Sequence, residues 1–288
     1  ALAIKPDLHE ALSNMGNVLQ GRGELDEAID CYQKALAISP DSHDAYNNMG
    51  LAWREKGLFE KSIECYQKAL AIKPDFQEAL SNMGNSLQSL HREAEAMECY
   101  QKALAIKPDS YMALSNLANA LPDQGRLEEA IDCYQQSLLI RPNLYEGHCN
   151  LGNALVKCGR MQEAIASYRR SLAIKPDFHM ALGNLGFALQ DQGELEESIA
   201  CYREAITVKS DNLPAYGSLL HQLQHVCDWQ DFQTFYERMI ALFHSGQGEI
   251  NPFFFISFPC TAEDQRLSAF QWVQDKYPVQ IPLSASRQ

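Results

Sequence analysis

The chain has 288 residues, with 24 Lys or Arg against 37 Asp or Glu, a formal net charge of −13. That balance disfavours nucleic acid and anionic membranes as partners, since both need Lys/Arg-rich surfaces, and no apolar run approaches the roughly 20 residues that span a bilayer. Nine cysteines with no CxxC pair argue against a zinc ribbon or a dense disulfide framework, so composition alone suggests an acidic, soluble, cytoplasmic protein of about two domains.

The prolines redraw that division. Pro6, Pro40, Pro74, Pro108, Pro142 and Pro176 stand 34 residues apart, and Ser210 takes the next place. With His9 as position 1 of a repeat, position 8 reads Gly16, Gly50, Gly84, Ala118, Gly152 and Gly186. Position 20 reads Ala28, Ser62, Ala96, Ala130, Ala164 and Ser198. Position 24 is tyrosine throughout: Tyr32, Tyr66, Tyr100, Tyr134, Tyr168 and Tyr202. A small residue, a second small residue, an aromatic and a proline in a 34-residue period resemble the tetratricopeptide repeat, a helix-turn-helix unit. The expected fold is all-α, a right-handed superhelical solenoid whose groove is lined by the first helix of each unit.

Taken in chain order, residues 1–8 match the end of a repeat, which suggests that further repeats precede them. Six full units then run over 9–212. In each, the small residues at positions 8 and 20 should let two helices approach closely, and the tyrosine should fill the gap beside them. Leu25, Ala28, Ile29, Tyr32, Ala35 and Leu36 form a helical stripe. Gly23, Gly57, Gly125, Gly159 and Gly193 mark the turn within a unit, and His91 replaces that glycine in the third. Pro122 falls late in a first helix and should shorten or kink it. Cys31, Cys65, Cys99, Cys133 and Cys201 share position 23, which repetition explains without a redox role.

Position 6 is asparagine six times: Asn14, Asn48, Asn82, Asn116, Asn150 and Asn184. Asparagine is a poor residue inside a helix, and the neighbouring columns vary. A carboxamide offers donors and an acceptor that complement a peptide group. One reading is a ladder that holds the backbone of an extended peptide, with Asn17, Asn85, Asn119 and Asn153 at position 9 extending a polar groove floor. The other is recent duplication, or asparagines that bond locally within their own repeat. Position 2 is mainly acidic (Glu10, Asp44, Glu78, Glu146) and position 6 carries no Arg, which suits an extended segment that is neutral or basic.

Residues 213–243 read as a partial seventh repeat and junction helices. Tyr216 and Leu219 sit in core columns, and a helix from Asp231 to about Phe243 follows. His221, His225, Cys227 and Asp228 have spacing that could hold a metal, although a buried helix end explains them as well. Residues 244–288 read as a linker and the start of a further region. They hold the aromatic run 253–258, an N-cap at Thr261 with Asp264 three residues on, and a helix carrying Leu267, Phe270 and Val273. No Ser/His/Asp set or glycine-rich phosphate loop appears.

The asparagine column, followed by AYGSLLHQLQHVCDWQDF and FFFISFP, resembles the junction of O-linked N-acetylglucosamine transferases and SPINDLY-like homologues. The resemblance covers nearly the whole chain, with Cys227-Asp228-Trp229 where that family passes from repeats to its catalytic region. It implies that the parent protein is a nucleotide-sugar-dependent protein O-glycosyltransferase. It implies that Asn14, Asn48, Asn82, Asn116, Asn150 and Asn184 receive protein substrates. It also implies that the two-lobed catalytic domain lies beyond Gln288, so that this chain has no turnover and no cofactor of its own. The stretch near Thr261 lacks the histidine of animal relatives, which leans towards a bacterial or SPINDLY-like branch. A free-standing repeat adaptor that scaffolds a complex is the alternative.

Overall fold

The computed structural model describes residues 8–122, 125–229, 231–246 and 260–276. Across these residues the chain is all-α, with 15 helices and no strand. Of the expected repeat remnant at 1–8 all but Leu8, together with the 253–258 aromatic run and the tail from 279, lies outside them. The chain divides into two compact units, one ending at Gly159 and the other beginning at Arg160.

The first unit holds α1 (Leu8–Gly21), α2 (Leu25–Ile38), α3 (His43–Glu55), α4 (Phe59–Ile72), α5 (Gln77–Ser89), α6 (Glu93–Ile106), α7 (Tyr111–Ala120), α8 (Leu127–Ile140) and α9 (Tyr145–Lys157). The second holds α10 (Met161–Ile174), α11 (His179–Asp191), α12 (Leu195–Val208), α13 (Leu213–His225), α14 (Phe232–His244) and α15 (Ala262–Lys276). In the first unit each helix packs on its successor, and so it does in the second from α10 to α14. The expected tetratricopeptide architecture is therefore present within each unit.

The turn inside a pair follows from one backbone position. Gly57 N donates to Arg54 O (2.8 Å) and Leu58 N reaches back to Trp53 O (2.9 Å). These two bonds satisfy carbonyls at the end of α3 and require a left-handed residue between them. Gly57 supplies it at φ 75°. His91 takes the same conformation at φ 56° and makes the same pair of bonds, with Arg92 N to Leu87 O at 2.9 Å. Pro122 does shorten its helix: α7 has 10 residues where the other first helices of the array have 13 or 14.

The tyrosine column joins the helices of a pair. A Cβ built on Gly16, Gly50 or Gly84 would lie 2.5–2.6 Å from the ring of Tyr32, Tyr66 or Tyr100. Only a hydrogen fits between helix backbone and ring. Tyr32, Tyr66 and Tyr100 are fully buried, and each such ring contributes roughly 2 kcal/mol of hydrophobic stabilisation. The same rings also touch the following repeat, as Tyr66 clusters with Ala79.

The C-terminal helices depart from the repeat. Tyr216, Leu219, Leu223, Met239 and Phe243 close the core of the second unit. On α15 the apolar side chains face outward: Leu267, Phe270 and Val273 are 37%, 56% and 45% exposed, whereas Asp264 and Ser268 are buried. Asp264 explains this inversion. Its carboxylate accepts from Thr261 N (2.9 Å) and Thr261 Oγ1 (2.7 Å), and Asp264 N donates back to Thr261 Oγ1 (3.1 Å). Its other oxygen pairs with His244 Nε2 of α14 at 2.5 Å. The expected N-cap therefore also anchors the helix to its neighbour.

Candidate peptide-binding face

The first helices carry the asparagine column, and exposure varies along it. Asn14 is exposed, Asn48, Asn116, Asn150 and Asn184 are half-buried, and Asn82 is 8% exposed. Several of these asparagines bond between repeats. Asn48 Nδ2 donates to Asn17 Oδ1 of the preceding repeat at 3.1 Å, and Asn150 Nδ2 donates to Asn119 Oδ1 at 3.4 Å. The position-9 asparagines are therefore more than a groove floor. Three of them also accept from the tyrosine of their own repeat: Tyr32 to Asn17 at 2.7 Å, Tyr100 to Asn85 at 2.7 Å, and Tyr134 to Asn119. Asn153 is half-buried at the same position of the fifth repeat.

The second repeat has Leu51 at position 9. Two consequences follow. The Tyr66 hydroxyl is buried without a partner. Asn82, lacking a position-9 acceptor, donates instead to Asn47 Oδ1 at 3.1 Å, and this bond turns it away from solvent. Asn47 Nδ2 in turn lies 3.3 Å from Asn48 Oδ1 and 3.5 Å from Glu78 Oε1.

A carboxamide has two N–H donors and two acceptor lone pairs. Asn48 spends one donor on Asn17 and one lone pair on Asn47. Asn150 spends one donor, and Asn116 spends nothing among the described residues. The column thus keeps part of its capacity, unevenly. The bonds of Asn48, Asn82 and Asn150 to other asparagines cross between repeats, Asn47 to Asn48 stays within one, and donors are left over.

Burial pushes the thiols of Cys65, Cys99 and Cys201 up to about 11, so they stay protonated near neutral pH. His221 and His225 meet edge-on with ring centroids 4.5 Å apart. Burial, then the neighbouring His225, lowers the His221 pKa. Among the described residues no group of three or more His, Cys, Asp or Glu is placed to hold a metal ion. None of the described helices is long and apolar enough to cross a membrane.

Cys227 has a role that the spacing of Gly193 could have revealed, since it lies 34 residues further on. It takes the left-handed turn position at φ 54°, with Cys227 N to Gln224 O at 3.2 Å and Asp228 N to Leu223 O at 2.9 Å. The Cys227-Asp228-Trp229 motif is thus the turn of a seventh helix pair. Arg203 Nη2 lies 3.6 Å from Asp228 and 3.1 Å from Asp231, and Trp229 is 58% exposed.

Models of the tetratricopeptide repeat match residues 7–75, 75–138 and 180–209, and one of the TPR repeat matches 119–159 and 152–193. No curated protein matches the chain. Among solved structures, a crystal structure of MamA is 25% identical with a TM-score of 0.52, covering 56% of this chain and 95% of that one. YrrB, described as a TPR protein with an unusual peptide-binding site, is 20% identical at TM-score 0.53 over 64% of this chain and 95% of its own. PilF of Pseudomonas aeruginosa is 19% identical at TM-score 0.65, over 73% and 95%. With the matched models running together over 7–209, the chain belongs to the tetratricopeptide repeat family.

Proposed function

We propose that this chain is a peptide-binding repeat scaffold that holds an extended, neutral or basic segment along its asparagine column. We further propose that it is the substrate-recognition arm of a protein glycosyltransferase similar to O-linked N-acetylglucosamine transferases and SPINDLY-like proteins, acting in the cytoplasm. The peptide reading is carried by the unspent hydrogen-bonding capacity of Asn48, Asn116 and Asn150. Neighbouring helices lie about 10 Å apart, and an extended chain rises about 3.3 Å per residue. One carboxamide can therefore meet a peptide group about every third residue, with little regard to side chain.

The transferase reading rests on the column together with Cys227-Asp228-Trp229. The exposed Trp229 beyond α13 supports it as a surface on which a following domain can pack. The sugar nucleotide would then bind that further domain and not these residues. Sequencing the gene past Gln288 tests this. An α/β domain with sugar-nucleotide features supports the arm, and an immediate stop codon rules it out.

A free-standing adaptor is the second reading. It is favoured by the MamA, YrrB and PilF structures, in which a match to this chain covers 95% of the crystallised protein. Both readings require peptide binding. That shared requirement is checked by fluorescence anisotropy with labelled extended peptides, and an absence of binding to any of them would overturn both.

A further inference from the structure

The sixth repeat breaks the polar pattern of the asparagine-bearing face at three positions together. Position 2, acidic in four repeats, is Met180. Position 5, elsewhere Ser13, Asn47, Ser81, Ser115 and Cys149, is Gly183. Position 9, asparagine in four repeats, is Phe187. All three lie on α11, within the second unit. Their spacing of three and then four residues sets them on one helix face, beside Asn184. Met180 and Phe187 are 50% and 52% exposed. Two large apolar side chains therefore stand in water where most repeats present a carboxylate and a carboxamide.

The hydrogen bonding of the repeat explains why Phe187 stays at the surface. In the first, third and fourth repeats the tyrosine hydroxyl donates to the position-9 asparagine. In the sixth, the Tyr202 hydroxyl donates to Gln190 Oε1 at 3.4 Å and also bonds the Ser218 side chain. The tyrosine is thus satisfied without position 9, and a phenyl ring has no part in that network.

Gly183 supplies a gap between the two apolar side chains. A Cβ built on it meets nothing within 4 Å. At a rise of 1.5 Å per residue, Met180 and Phe187 start about 10 Å apart along the helix axis, with Gly183 near the midpoint. That leaves room for one inserted side chain. A thioether and a phenyl ring each attract an aromatic ring beyond the effect of buried area, so the flanks favour an aromatic occupant over an aliphatic one.

We infer that Met180, Gly183 and Phe187 form a subsite for one aromatic side chain of the bound peptide, which sets the register of a segment otherwise gripped by its main chain. The inference rests on the peptide-binding reading above and adds a side-chain requirement to it.

The experiment measures fluorescence anisotropy of the intact chain with labelled peptides of about twelve Ala and Ser residues. A single Phe steps along one set, a single Leu along a second, and the third has Ala throughout those places. Phe at one register should bind roughly tenfold more tightly than Ala there, and more tightly than Leu. Phe187→Asn, which restores the residue of four other repeats, should abolish that preference while the Ala peptides still bind. Gly183→Leu, which fills the gap without removing apolar surface, should abolish it as well. Met112→Glu, a change at the other exposed methionine of position 2, should keep it. Equal binding of Phe and Ala at every register would refute the subsite and leave peptide binding standing. Binding of none of the sets would refute the peptide reading itself. Leu binding as tightly as Phe would overturn the aromatic assignment. A preference that survives Phe187→Asn or Gly183→Leu, or is lost in Met112→Glu, would overturn the location.

Discussion

The Tyr32 hydroxyl donates to Asn17 Oδ1 at 2.7 Å, and this bond ties the second helix of a repeat to the carboxamide that also receives Asn48 from the next repeat. Tyr100 has the same bond to Asn85, whereas Tyr66, facing Leu51 in the register, has none. Removing the hydroxyl should therefore cost about 1 kcal/mol in Tyr32→Phe and Tyr100→Phe. Tyr66→Phe should be neutral or stabilising, because it removes a buried group with no partner. Urea denaturation of the three variants checks this, and a Tyr66→Phe loss equal to the others would refute it.

The left-handed turn at His91 gives the second prediction. A side chain with a Cβ is strained at φ 56°, and glycine relieves that strain. His91→Gly should stabilise the array by about 1 kcal/mol, visible as a raised denaturation midpoint. Among the described residues His91 gives up one ion pair, to Glu93 at 3.8 Å, and its own imidazole is exposed. Gly57→Ala, the reverse change at φ 75°, should destabilise.

The asparagines separate binding from stability. Asn116→Ala removes no hydrogen bond among the described residues and improves helix propensity by about 0.5 kcal/mol. It should leave the melting temperature level or higher while weakening peptide binding severalfold. Asn48→Ala loses its bond to Asn17 as well, so its stability gain should be cancelled. Peptide affinity unchanged in both variants would refute the ladder.

The anchor of α15 should respond to acid. Burial raises the Asp264 pKa, but the bonds from His244 and Thr261 outweigh it and hold the carboxyl below its ordinary value. A depressed folded pKa means stability that is present above the unfolded pKa and lost as pH falls through the folded one. Attachment of α15 to α14 should therefore weaken below about pH 4. Hydrogen exchange of 262–276 read against the repeat helices checks this, and Asp264→Asn should show fast exchange already at neutral pH.

Another close approach gives a stability prediction. Gly50→Ala would place a Cβ 2.6 Å from the Tyr66 ring, so the pair must separate at a cost of about 1–3 kcal/mol. The double variant Gly50→Ala, Tyr66→Leu should recover part of that loss in the same denaturation assay.

Much was legible in the chain itself, because the features concerned are local. A 34-residue period, a glycine that must turn left-handed, a proline that ends α7 and a Thr261–Asp264 cap each depend on a few adjacent residues. The asparagine column was visible too, as was its chemistry. Its hydrogen-bond partners were not: Asn48 meets Asn17 across 31 residues, and only the packing of successive helices brings them together. The same packing decides that Leu51 orphans Tyr66 and turns Asn82 inward. It decides that α15 buries Asp264 rather than Leu267 and Phe270, since one charged, fully bonded carboxylate against His244 fixes the helix rotation. Sequence determined the repeating unit and the chemistry carried on its face. Tertiary structure decided which of those groups are spent on each other and which remain for a partner, because a hydrogen-bonding group used between repeats is no longer open to a ligand.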